Sequence, residues 1–77
     1  MDETDLLLDA RGLKCPLPVL KARKRLNGLA SGALLTVLAT DPAAPKDFAA
    51  FCEATGHTLA GVQNGPDDAT TFTIRRK

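Results

Sequence analysis

The sequence predicts an α+β fold, a βαβαββ two-layer sandwich with two helices packed on one face of a four-stranded mixed sheet. Three observations predict it. Four short runs of β-forming residues alternate with two segments whose apolar residues recur at helical spacing. The last two runs are joined by Asn64-Gly65-Pro66-Asp67, strong turn chemistry that makes them a hairpin. Phe48, Phe51 and Phe72 are the only aromatic residues, so leucine, valine and alanine must fill a thin core between the layers.

In chain order, Leu6 to Arg11 reads as a first strand, with Leu8 and Ala10 on one side and Asp9 and Arg11 on the other. Gly12 breaks it. A helix follows from Cys15-Pro16-Leu17-Pro18, starting at Pro16 or at Pro18, with Val19, Ala22, Leu26 and Leu29 as its apolar stripe. Asn27 and Gly28, then Ser31 and Gly32, end it with residues that tolerate the left-handed conformation. Ala33 to Thr40 reads as a buried central strand. Asp41 then caps a second helix with Pro42 at its first position and Pro45 still in its first turn. Ala44, Phe48, Phe51, Cys52 and Thr55 form its apolar face, and Gly56 ends it. Thr58 to Gln63 and Thr70 to Arg75 are the hairpin strands. In the last of them Phe72 and Ile74 point one way while Thr71, Thr73 and Arg75 point the other.

Size and composition narrow the function classes. The 77 residues, 1–77, read as a single domain without repeat, linker or low-complexity segment, too short for a large catalytic cavity. Two cysteines are too few for a disulfide framework or a cysteine-rich metal site. The acidic start, Met1 to Asp5, lacks the basic and apolar pattern of a secretory signal, and no apolar run approaches a membrane span. A soluble, cytoplasmic protein with reduced thiols is the expectation. Net charge is only +1, yet Arg11, Lys14, Lys21, Arg23, Lys24 and Arg25 follow one another with no acid between them, which makes one face positive.

Cys15 stands where a strand has ended and a helix begins. Unpaired N–H groups and the positive end of the helix dipole favour an anion there, and with Arg11 and Lys14 nearby enhanced thiolate character is expected. The two prolines hold Cys15 at the mouth of the helix, just outside it. A dithiol oxidoreductase would place its second cysteine where Pro18 stands, so Cys15 acts alone. On these residues two readings stand: a small buried apolar side chain, or a nucleophile that accepts a group and keeps it until another protein takes it.

The segment Asp9-Ala-Arg-Gly-Leu-Lys-Cys15-Pro-Leu-Pro18 closely resembles the signature of the TusA/SirA-like sulfur carrier family, whose motif is Cys-Pro-x-Pro at the start of the first helix. Asp41-Pro42, Asp47-Phe48, Phe51-Cys52, Gly56-His57 and the basic last strand extend the likeness over nearly the whole chain. The resemblance implies the same βαβαββ sandwich and a persulfide on Cys15, with Pro16 and Pro18 as motif support. It also implies partners: a cysteine desulfurase or other sulfurtransferase as donor and a downstream sulfur-accepting protein, in relays toward thiolated tRNA, molybdenum cofactor or sulfur oxidation. The chain would count as a sulfurtransferase only in the sense that its cysteine is transiently persulfidated.

Other residues read more plainly. Cys52 shares a helical face with Phe48 and Phe51 and is expected to be an inert core thiol. His57 is expected to bond backbone; no metal and no cofactor are assigned, because Cys52 and His57 lack the further ligands of a zinc site. Arg11, Lys14, Lys21, Lys24 and Arg25 are either the solvated back of the helix or a docking face that steers an acidic partner toward the thiol. Direct nucleic-acid binding is not expected, since there is no strongly basic pI and no stacking platform. Two alternatives accompany the carrier reading: a protein- or RNA-binding regulator without sulfur chemistry, and a monothiol redox protein.

Overall fold

The computed structural model describes residues 6–77, so the acidic stretch Met1 to Asp5, where no secretory signal is expected, lies outside the described residues. The elements run β1 (Leu7–Ala10), α1 (Leu17–Asn27), β2 (Leu34–Ala39), α2 (Ala44–Thr55), β3 (Thr58–Asn64) and β4 (Thr70–Arg75). The sheet order is β1-β2-β4-β3. β1 and β2 are parallel, with Leu8 opposite Val37, and β4 is antiparallel to both β2 and β3. This is the predicted mixed sheet with the predicted helices.

Alternation explains the layers. Leu8, Ala10, Leu35, Val37, Ala39, Phe72 and Ile74 point to the helices and are buried. Ala22 and Leu26 of α1, Leu29 just beyond it, and Ala44, Phe48 and Cys52 of α2 complete that core. Phe48 packs on Phe72 with ring centroids 4.6 Å apart, joining α2 to the centre of the sheet.

The structure corrects four sequence expectations. β2 is central, but it is not buried on both faces: Leu34 is 46% exposed and Thr36 and Leu38 are half-buried, because both helices lie on the opposite face. The first-helix stripe includes Pro18, which is fully buried, while Val19 is only half-buried. At the end of α1, Asn27 is still helical and Gly28 is right-handed; only Gly32 is left-handed, with φ +86°. The Gly28 and Leu29 N–H groups tighten this end onto the Arg25 and Leu26 carbonyls at 3.1 and 3.0 Å, which keeps Gly28 right-handed, and Arg76 Nε adds a bond to the Leu26 carbonyl at 2.8 Å. Finally, α2 begins at Ala44 and not at Pro42. Asp41 Oδ1 accepts the Ala43 N–H at 2.7 Å, a local turn that occupies Pro42 and delays the helix, while Pro45 falls in the first turn as expected.

The hairpin forms as expected, with β3 continuing to Asn64 and a bulge between Leu59 and Gly61. Its tip is a short 3₁₀ turn, Pro66–Asp68, in which Asp67 and Asp68 both take φ 59°, a conformation aspartate tolerates better than most residues.

Candidate functional site

Because β1 and β2 are parallel, the segments that follow them emerge at the same edge of the sheet. Gly12 follows β1 and Thr40 follows β2, and the Gly12 N–H donates to Thr40 Oγ1 at 2.9 Å, which ties the two loops together. Gly12 has φ +80°, so this tight exit from β1 favours glycine. The starts of α1 and α2 are thereby brought side by side.

Cys15 lies in the first of these loops and is exposed. Pro16 occupies the cap position of α1, the Cys15–Pro16 peptide is cis, and Cys15 stands outside the helix as predicted. The Cys15 N–H donates to Asp41 Oδ2 at 2.9 Å, and the Cys15 thiol donates to Asp47 Oδ2. Asp41 therefore serves two loops at once, one carboxylate oxygen holding the turn before α2 and the other holding the cysteine backbone. These N–H bonds, with Lys14 nearby, keep its carboxyl below the usual carboxylate range.

The expected thiolate environment is not what the fold builds. The thiol is pushed above its ordinary value, first by its hydrogen bond to Asp47, then by loss of water and by the charges of Asp47 and Asp41. The helix terminus cannot offset this. Pro16 and Pro18 have no N–H, and the Leu17 N–H is bonded to the Lys14 carbonyl at 2.9 Å, so most of the donors that would hold an anion are missing or engaged. Arg11 is drawn the other way, with Nε and Nη2 on the two oxygens of Asp9 at 2.9 and 2.8 Å.

The proposed docking residues divide along the helix. The charge of Lys14 acts on Asp41, whereas Lys24 and Arg25 occupy the last turn of α1, at the opposite end from Cys15. Lys21, Lys24 and Arg25 line one groove of about 440 Å³ with Leu8, Gly28 and Leu29. Arg25 also donates to the Leu7 carbonyl at 3.1 Å, which ties α1 to β1. Cys52 is 5% exposed in the core, and burial raises its thiol. His57 Nδ1 accepts the Lys77 N–H at 3.2 Å, the backbone bond expected of it.

Asp47 and the second role of Asp41 were missed by the sequence reading. The signal was available in topology: carboxylates opening a helix that follows a strand parallel to the strand before Cys15 must come out beside it.

Comparison with known proteins gives one consistent result. The family model described as "Sulfurtransferase TusA" matches residues 7–76. The sulfur carrier protein TusA of Allochromatium vinosum is 54% identical over 59 residues, covering 77% of this chain and 78% of that one. The sulfur carrier protein TusA of Pseudomonas putida is 45% identical over 75 residues, covering 95% and 90%. The crystal structure of a SirA-like protein from Desulfitobacterium hafniense superposes with TM-score 0.81 at 27% identity, covering 90% and 93%.

Proposed function

The chain belongs to the TusA sulfurtransferase family, and from that premise we propose that it is a sulfur carrier whose Cys15 accepts sulfane sulfur as a persulfide and passes it to an acceptor protein. The observation that carries the assignment to Cys15 is its position: the exposed thiol of a Cys-Pro-x-Pro motif, at the edge where α1 and α2 begin. Cys52 is enclosed by the core and cannot meet a partner's sulfur without unfolding.

The Cys15 sulfur attacks the terminal sulfur of a donor persulfide, that sulfur's bond to the donor breaks, and the donor leaves with the electron pair as a thiolate. Cys15 is oxidised to the persulfide as the donor cysteine is reduced. The next acceptor repeats the step, with Cys15 as leaving group. A cysteine desulfurase or another sulfurtransferase is the proposed donor, and a protein thiol the proposed acceptor.

The test is the intact mass of reduced protein after incubation with a cysteine desulfurase and cysteine, with fragmentation to locate the added sulfur. One sulfur atom on Cys15, removed by reductant and absent from Cys15→Ser, is expected. Full biological activity in Cys15→Ser would overturn the assignment and favour a binding module.

A further inference from the structure

We propose that Asp47 is the proton partner of the carrier cysteine, holding unloaded Cys15 as a thiol and relaying its proton to the sulfur that the donor leaves behind. This rests on the carrier reading of Cys15. The geometry carries it. The thiol donates to Asp47 Oδ2, and the backbone of the same residue is fixed on Asp41 Oδ2, so the sulfur is aimed at one oxygen from both sides of the loop. Asp47 is half-buried in the first turn of α2. The charges facing the sulfur are those of Asp47 on α2 and Asp41 in the loop before it. Of the cations nearby, Lys14 acts on Asp41 and Arg11 is held by Asp9. Among the described residues the charges that act most on the sulfur are carboxylates, and an acceptor for its proton is in contact with it.

A neutral Cys15 thiol spares an anionic donor the added repulsion of a thiolate. A persulfide is a stronger acid than the thiol it is built on, so the donor brings a negative charge to a loop that already holds two carboxylates. In the relay, the Cys15 S–H bond breaks and its proton passes to Asp47. The Cys15 sulfur bonds to the donor's terminal sulfur, the donor's S–S bond breaks, and Asp47 returns the proton to the donor thiolate. Thiol and donor persulfide anion become carrier persulfide anion and donor thiol. Net charge is unchanged: the negative charge passes from the donor persulfide to the new Cys15 persulfide. The new terminal sulfur then sits about 2.05 Å beyond the cysteine sulfur, farther along the exposed side chain.

Two rates separate the relay from a simple electrostatic effect: alkylation of Cys15 by iodoacetamide, and single-turnover loading of Cys15 from glutathione persulfide, each followed by intact mass between about pH 6.5 and 8.5. In the wild type, alkylation rises roughly tenfold per pH unit with the thiolate fraction, while loading stays nearly flat. In Asp47→Asn, alkylation near neutral pH accelerates, because a negative charge has been removed. Loading falls by about 10²-fold and now climbs with pH. Asp47→Glu keeps much of the loading. If Asp47→Asn speeds both reactions, or changes neither, the relay is overturned. Should that variant not fold, Asp47→Ser takes its place and is read in the same way, and wild-type loading that climbs in parallel with alkylation also overturns the relay. Absence of sulfur on wild-type Cys15 from both this donor and a desulfurase overturns the carrier reading itself, whatever the alkylation rates show.

Discussion

Cys15 and Cys52 are the same side chain in two environments, and their reactivities are expected to part accordingly. Under native conditions a single iodoacetamide adduct on Cys15 is expected, with Cys52 modified only after denaturation; equal labelling of both in folded protein would contradict the burial of Cys52 in the core. His57 gives a pH dependence of definite sign. Burial, then the charges of Arg76 and Lys77, hold its imidazole below the ordinary value of 6.5, and its Nδ1 accepts the Lys77 N–H only while that nitrogen is unprotonated. The folded state therefore binds fewer protons than the unfolded chain in the window just below pH 6.5. Stability from this residue is complete above that value and is lost as pH falls through the folded one. Urea midpoints measured from about pH 7 down to 5 are expected to fall less in His57→Gln than in the wild type. At this scale the position of Cys15 was legible, because Pro16 and Pro18 act on the backbone beside them. Its electrostatics were not, since Asp47 is 32 residues away in sequence.

Helix ends show how local chemistry and tertiary contact compete. Gly56 was legible as the end of α2, and it takes φ +86° there. Gly56→Ala is expected to lower stability by about 1 kcal/mol, read from chemical denaturation, because alanine resists the left-handed conformation and its Cβ would meet Lys77 Cδ at 3.3 Å. The start of α2 was misplaced because Asp41 spends one oxygen on the turn before the helix and the other on the Cys15 N–H, a bond no local pattern announces. Removing that carboxylate in Asp41→Ala is expected to lower stability by about 1 kcal/mol and to loosen the Cys15 loop, seen as faster amide exchange at Cys15.

Across the whole molecule the two layers are joined at Phe48 and Phe72, both fully buried. For 77 residues a total stability of about 4 to 12 kcal/mol is typical, and truncating a buried phenylalanine removes about 3 to 5 of it. Phe72→Ala is accordingly expected to remove a large share of that stability, about 3 to 5 kcal/mol, read as a marked fall of the denaturation midpoint. A loss under about 1 kcal/mol would show that the core closes around the gap.

The order of elements, the inward faces of β1 and β4, the hairpin and the placement of Cys15 at the mouth of α1 follow from the sequence by itself. Each is governed by periodicity or by backbone constraints within a few residues. The bonds of the Cys15 thiol to Asp47 and of its N–H to Asp41, and with them the upward push on that thiol, were decided only by the tertiary structure. The physical reason is the parallel pairing of β1 and β2, which sets the beginnings of two helices side by side and lets the carboxylates of one determine the charge on the sulfur of the other.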